Sequence, residues 1–127
     1  MGYRIVDPDD VEVPDGRPCE YRSLTEAGGL DEMAMNLFRA EPGEQVPLAY
    51  HYHEQQEEAF FVLSGTLYVE TPEQTYEVPE GHLFTVDPES PQRAHNPEDA
   101  GERVELLAVG APPAPDDAVA YDPDEDD

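Results

Sequence analysis

Residues 43–65 read GEQVPLAYHYHEQQEEAFFVLSG. His51 and His53 stand one residue apart, and residues i and i+2 of a β-strand point to the same face. The four polar residues 54–57 follow as a predicted turn, and Glu58 opens the next apolar run. A hairpin at this turn would return Glu58 to the side of the histidines. We therefore predict that two imidazoles and one carboxylate meet on adjacent strands.

Such a set of side chains has the composition of a divalent-metal site. It suits Fe(II), Mn(II), Ni(II) or Zn(II) and leaves coordination positions open for water or a substrate. A His-x-His pair by itself also occurs on exposed strands, and Glu58 could be a solvated residue of an acidic turn. The joint spacing of His51, His53 and Glu58 between Gly43 and Gly65 favours the metal site over that alternative.

The remainder of the chain indicates an all-β fold. Its 14 prolines, which are disfavoured inside central strands, divide it into short apolar segments. Short strands at regular spacing with turn residues between them are typical of a sandwich or a barrel. Glycine in residues 64–65 and 79–81 predicts a hairpin turn at each place. The predicted strands are residues 3–6, 33–40, 45–53, 58–63, 66–71, 74–78, 82–86, 93–96 and 103–109.

We predict one domain, residues 1–110, at a length close to the commonest domain size. A short helix is expected around residues 23–30, where two glycines limit its length. Residues 111–127 are rich in Pro, Ala and Asp, and we expect them to form an acidic tail that lies on the surface or is disordered.

The charge of the chain is strongly negative. It has six basic residues, all arginine, against 31 acidic ones, so the formal net charge is −25. Like charges at this density repel one another in dilute buffer, and salt near 1 M shortens the Debye length to about 3 Å. We therefore expect a soluble protein from a salt-loaded cytoplasm. The same charge argues against nucleic acid or an anionic membrane as a partner, and the single cysteine, Cys19, excludes an intramolecular disulfide.

Residues 43–96 resemble the two signatures of the cupin superfamily. The first signature runs Gly, His-x-His, three or four residues, Glu, six residues, Gly, and residues 43–65 reproduce its histidines, glutamate and glycines. The second begins at Gly81 and ends at Asn96 in altered form. The resemblance implies a double-stranded β-helix (jelly-roll) barrel that binds a divalent metal (Fe, Mn, Ni or Zn), and most single-domain relatives of this kind are homodimers.

The second signature departs from the family pattern where it should complete the metal site. Gln92 occupies the position of the family's third histidine, and Asp87 and Glu89 replace its proline and glycine. A glutamine carbonyl oxygen can bind a metal, although less tightly than imidazole. The expected ligands are therefore His51, His53 and Glu58 with Gln92 as a weaker fourth, and the alternative is a site that binds metal poorly. We expect His95 to face away from this site and His82 to lie at the surface.

Three functions remain open from the sequence. The first is a metal-dependent enzyme acting on a small molecule, such as a dioxygenase or an isomerase. The second is a non-catalytic protein that binds a small ligand, such as a sugar or an organic acid, and the third is a structural protein with a vestigial site. No catalytic residue stands out beyond the expected metal ligands. The residues expected to line the pocket are Phe60 and Val62, with Met33, Met35, Phe38, Leu83, Phe84 and Arg93 as weaker candidates.

Overall fold

The strands of the protein follow its apolar segments. The computed structural model describes residues 2–113 and 116–124, and a short 3-10 helix at Pro8–Asp10 precedes the strands. In chain order the strands are β1 (Glu20–Ser23), β2 (Ala34–Ala40), β3 (His51–His53), β4 (Glu57–Ser64), β5 (Leu67–Glu70), β6 (Thr75–Val78), β7 (Leu83–Val86), β8 (Arg93–His95), β9 (Val104–Ala111) and β10 (Ala118–Ala120).

These strands form one five-stranded sheet and a second layer made of a three-stranded and a two-stranded sheet. The first has the order β1-β2-β9-β4-β7. The second contains β6-β5-β8, and single bridges from His51 to Gln92 and from Gln45 to His95 connect β8 to the segment that carries β3. Strand β3 pairs in turn with β10. All of these pairings are antiparallel, and the architecture is the predicted all-β jelly-roll barrel.

The hydrophobic core lies between the two sheets. Strand β9 alternates between buried and half-buried residues along its whole length, as expected for a strand with one face turned inward. Its buried Leu106 is paired with the buried Val62 of β4. Leu67 and Val69 of β5 join them in one cluster from the opposite sheet. The two sheets therefore pack face to face and share one core.

The three predicted hairpins are wrong, although the chain turns where they were expected. Strand β4 pairs with β7 and β9 rather than with β3 or β5, and β6 pairs with β5 rather than with β7. At each of these turns the chain crosses from one sheet to the other. Turn residues indicate where the chain reverses, but they do not indicate which strand the next strand pairs with. The glycine at 64–65 is still required. Gly65 has φ 77°, and a Cβ there would lie 2.5 Å from the carbonyl oxygen of Arg103.

The N-terminal part differs most from the prediction. Residues 3–6 form no strand, since Tyr3 and Ile5 are 98% and 99% exposed and have no apolar surface to cover. The predicted helix at 23–30 is also wrong. Ser23 ends β1, which the prediction missed, and residues 25–29 are turns in which Gly29 has a left-handed φ of 66°. The strand predicted for residues 45–53 is reduced to β3 and an isolated bridge at Gln45.

Part of the predicted C-terminal tail belongs to the sheet. Ala118 and Ala120 of β10 are paired with His53 and His51, so this segment borders the two histidines. The tail prediction for residues 114–115 and 125–127 lies outside the described residues. None of the described segments is a helix long and apolar enough to span a membrane.

Candidate metal centre

The structure brings His51, His53 and Glu58 together. The histidines lie on β3 with their side chains on one face, and one ligand atom from each of the three residues lies within 4.8 Å of the others. The two Nε2 atoms are 3.2 Å apart, and Nε2 of His53 is 3.7 Å from Oε2 of Glu58. Glu58 reaches the histidines from the opposite sheet, because β3 and β4 are not neighbours. The expected grouping is present, but it is built across the barrel rather than along a hairpin.

Hydrogen bonds orient both imidazoles so that Nε2 is available as a ligand. Nδ1 of His51 is 2.8 Å from the carbonyl oxygen of Ala49, and Nδ1 of His53 is 2.7 Å from Oδ1 of Asp117. Each Nδ1 therefore carries the proton in the neutral ring, and each Nε2 carries a lone pair. Two lone pairs 3.2 Å apart repel unless a positive charge, a proton or a metal ion, is held between them.

Asp117 is a site residue that sequence reasoning missed. Its Oδ1 accepts the hydrogen bond from His53, and its Oδ2 accepts hydrogen bonds from the backbone amides of Gln55 and Gln56, at 2.9 Å each. The side chain is only 9% exposed. A carboxylate behind a ligand histidine fixes the ring and raises its basicity. Nothing in an acidic tail with many aspartates marks this one, and only the pairing of β10 with β3 places it here.

Burial sets the electrostatics of the cluster. Desolvation raises the pKa of the Glu58 carboxyl above its usual value, although His53 acts in the opposite direction. Desolvation also lowers the pKa of His51, against the hydrogen bond to Ala49. Burial opposes ionisation of Asp117 too, but the hydrogen bonds from His53 and the two backbone amides outweigh it and hold that pKa below its usual value. The pocket thus keeps His51 neutral and holds the Glu58 carboxylate at a cost that a bound cation would offset.

Gln92 lies beside this cluster. Its backbone exchanges two hydrogen bonds with His51, and its side-chain Nε2 donates to Oε1 of Glu58 at 3.4 Å. The residue is 3% exposed, and its buried Oε1 has no hydrogen-bond partner among the described residues. An orphaned carbonyl oxygen on a residue that lines the same cavity as two imidazoles and a carboxylate fits a divalent metal ion, for which all four groups are suitable ligands. Glu89, at the position of the family's glycine, has φ 67°, so the backbone keeps the turn that this glycine would form.

The other predicted polar residues lie elsewhere. His95 faces a separate small pocket that contains Arg93 and Asn96, and its buried Nδ1 has no partner among the described residues. His82 is exposed, as predicted. Arg93 forms an ion pair of 2.9 Å with Glu70 and does not line the cavity above the cluster.

A cavity of about 520 Å³ opens above the cluster. Of the predicted lining residues, Phe60 and Phe38 lie on its wall. Val62 is fully buried in the core instead. The remaining candidates do not line the cavity; they are Met33, Met35, Leu83, Phe84 and Arg93. The wall also includes two residues that the sequence did not single out, Arg17 and Tyr21. The space is large enough for a small organic ligand.

Comparison with known proteins agrees with this architecture. Two similar solved structures are a putative sugar phosphate isomerase from Acidithiobacillus ferrooxidans (29% identity, TM-score 0.66, covering 73% of this chain and 58% of that one) and a sugar phosphate isomerase of the cupin superfamily from Silicibacter pomeroyi (26%, 0.69, 85% and 75%). The polyketide cyclase RemF from Streptomyces resistomycificus shares the fold (21%, 0.74, 95% and 89%). No curated protein sequence matches the chain.

The family model for the cupin domain matches residues 36–110, which is more than half of the 127 residues. This region runs from within β2 to within β9 and contains the residues that build the cluster, apart from Asp117. The chain therefore belongs to the cupin family.

Proposed function

We propose that the protein is a metal-dependent enzyme that isomerises a small carbonyl compound in this cavity. The observation that carries the proposal is the pair of Nε2 lone pairs, 3.2 Å apart, beside Glu58 at the wall of the cavity. Two structural relatives above 25% identity are described as sugar phosphate isomerases, one of them as putative, and this supports an isomerase over a dioxygenase. The chain spans only 58% of the length of the first of these proteins, so the similarity does not identify the substrate of this chain.

The ligands in this proposal are His51, His53, Glu58 and Gln92. A divalent ion held there would supply Lewis-acid polarisation of a substrate carbonyl. Asp117 orients His53 and keeps the proton on its Nδ1. Phe38 and Phe60 cover part of the cavity wall with apolar surface and limit the access of water to a bound ligand.

A non-catalytic ligand-binding protein is the second candidate, and one observation favours it. Glu58 is the only carboxylate on the cavity wall within the described residues. If Glu58 serves as a metal ligand, no second carboxylate is placed to remove a proton from a substrate. The two candidates therefore differ in turnover but share metal and ligand binding.

Metal analysis and proton exchange separate these functions. Untagged protein purified in molar KCl should carry one equivalent of a divalent metal, and His51→Ala and Glu58→Gln should lose it, whereas the exposed His82→Ala should not. A metal-free wild type that cannot be reloaded refutes the proposal. Exchange of a substrate C–H proton for deuterium, followed by NMR with ribose 5-phosphate and other aldose phosphates, then distinguishes an isomerase from a binding protein. Gln92→His should raise metal affinity, and an unchanged affinity would remove Gln92 from the ligand set.

We also propose that the acidic surface is adapted to molar salt in the cytoplasm and that the protein is a homodimer. The net charge of −25 supports the first proposal. Light scattering after gel filtration in molar KCl tests the second, and a monomer mass would refute it.

A further inference from the structure

Arg17 is unusual among the arginines of this chain. Arg22, Arg39 and Arg93 are each held by a glutamate at 2.7–2.9 Å. Arg17, like Arg4 and Arg103, takes part in no ion pair within the described residues, although the chain contains 31 acidic residues, but Arg4 and Arg103 are exposed whereas Arg17 is half-buried. Its Nε is buried and lacks a hydrogen-bond partner. A guanidinium with unused donors in such an acidic protein is available for an anion that is not part of the described chain.

The position of Arg17 places this group at the cavity. Arg17 lines the same 520 Å³ cavity as the metal cluster, and its guanidinium carbon lies 4.3 Å from the centre of the Tyr21 ring. Tyr21 packs in turn against Phe38, with ring centres 5.2 Å apart. Stacking on an aromatic ring restricts the orientation of the guanidinium before a ligand arrives.

Arg17 lies at one edge of the first sheet, and the Glu58 carboxylate of the metal cluster lies three strands away from that edge. Arg17 precedes β1, whereas Glu58 lies on β4, and β2 and β9 separate these strands. Three strand spacings correspond to about 14 Å between the strand axes. The reach of the arginine side chain and the curvature of the barrel shorten this separation. One extended small molecule can therefore have a charged end at Arg17 and its reacting end at the cluster.

The charge of the cavity favours an anion. Arg17 and Glu58 are the charged side chains on its wall within the described residues, apart from the histidines. A divalent ion (+2), the Glu58 carboxylate (−1), the Arg17 guanidinium (+1) and the Asp117 carboxylate behind His53 (−1) together carry a net charge of +1. The cavity is then positive within a protein whose net charge is −25, and this contrast selects anionic ligands locally.

We propose that Arg17 binds the anionic end, a phosphate or a carboxylate, of an extended small molecule whose other end meets the metal cluster. This inference rests on the proposed function, since it takes the cavity as the ligand site. It assigns to Arg17 the role of a specificity-determining residue that distinguishes charged from neutral ligands of otherwise similar shape.

Three probes of similar size test the proposal. Ribose 5-phosphate, ribonate and ribose carry a phosphate, a carboxylate and no charge, and their affinities are measured by calorimetry on metal-loaded protein at one KCl concentration. At least one of the two anions should bind wild type more tightly than ribose. Arg17→Gln should weaken that anion roughly 10- to 100-fold and leave ribose unchanged, whereas Arg17→Lys should retain part of the preference. Arg103→Gln, which removes the same charge from an exposed position, is the matched control.

Each outcome decides the matter. Whichever of ribose 5-phosphate and ribonate binds more tightly shows whether the anionic group that Arg17 binds is a phosphate or a carboxylate. Equal affinities of wild type for all three probes, or an equal loss for ribose and the anions in Arg17→Gln, overturns the inference. Metal content is measured on every variant, and Arg17→Gln should retain its metal. A wild type that carries no metal and cannot be loaded refutes the proposed function, whereas a loaded wild type without an Arg17-dependent preference refutes only the role of Arg17.

Discussion

Replacement of Asp117 by Asn should weaken metal binding by changing which nitrogen of His53 carries the proton. The aspartate accepts a hydrogen bond from Nδ1 of His53 at 2.7 Å through one oxygen and hydrogen bonds from two backbone amides at 2.9 Å through the other. The amide of asparagine has one oxygen and one NH2 group. If its oxygen faces His53, the NH2 group opposes two backbone N–H donors.

The reverse orientation leaves only one conflict, so we expect it to be adopted. The NH2 group then faces Nδ1 of His53, which must become an acceptor and transfer its proton to Nε2. The protonated Nε2 is no longer a metal ligand. Replacing the carboxylate that orients a ligand histidine typically costs 10- to 100-fold in metal affinity, which corresponds to about 1.4–2.7 kcal/mol.

Competition with a coloured chelator measures this loss in the wild type, Asp117→Asn and Asp116→Asn. Asp116 is the exposed neighbour, so its variant removes the same charge without a contact to His53. Nitrogen-15 NMR of the imidazole rings reports the tautomer of His53 independently of metal affinity. An affinity of Asp117→Asn within twofold of wild type, or an equal loss in Asp116→Asn, would refute the reasoning.

Three further predictions concern stability and reactivity. Gly65→Ala should lower the free energy of unfolding by roughly 2–4 kcal/mol, because a Cβ at φ 77° would lie 2.5 Å from the Arg103 carbonyl oxygen. Glu89→Gly should raise the free energy of unfolding by about 0.5–1 kcal/mol, because it removes a non-glycine residue from a left-handed φ of 67°. Chemical denaturation measures both variants, and equal changes in the two free energies would contradict these two predictions. Burial raises the pKa of the Cys19 thiol to about 12, so alkylation should be slow in native protein at pH 9 and fast after unfolding. Stability relative to Cys19→Ala should fall as the pH rises above 9, where only the unfolded thiol ionises. The midpoint of thermal unfolding should rise steeply between about 0.1 M and 1 M KCl, over which the Debye length falls from about 10 Å to about 3 Å, and a constant midpoint would contradict adaptation to salt.

The metal site shows which kind of feature can be read from a sequence. His51 and His53 share a face because side chains alternate along any strand, and this holds whatever the strand pairs with. The prediction that Glu58 lies beside the two histidines agrees with the structure, but the hairpin from which it was predicted does not form. The expected hairpin is absent, and Glu58 arrives from the opposite sheet. The spacing of the family signature therefore identified Glu58 correctly, whereas the turn residues 54–57 suggested a hairpin that the structure does not contain.

Features that depend on one residue and its neighbours along the chain were accessible before the structure. These include the all-β character, the short strands between prolines, the face shared by the two histidines and the exposure of His82. Each follows from backbone geometry or from the solvation of a side chain, and neither requires knowledge of distant contacts.

Features that join distant parts of the chain required the tertiary structure. Strand β1 was missed because its four residues are all only half buried and show no alternation. Asp117 is 64 residues from His53 in the chain, and Arg17 lies 41 positions before Glu58. Their roles come from pairing of β10 with β3 and from the position of β1 at the edge of the first sheet. Strands that pair by hydrogen bonds can be separated by any number of residues in the sequence. The tertiary structure therefore decides that Asp117 orients His53 and that Arg17 lines the cavity.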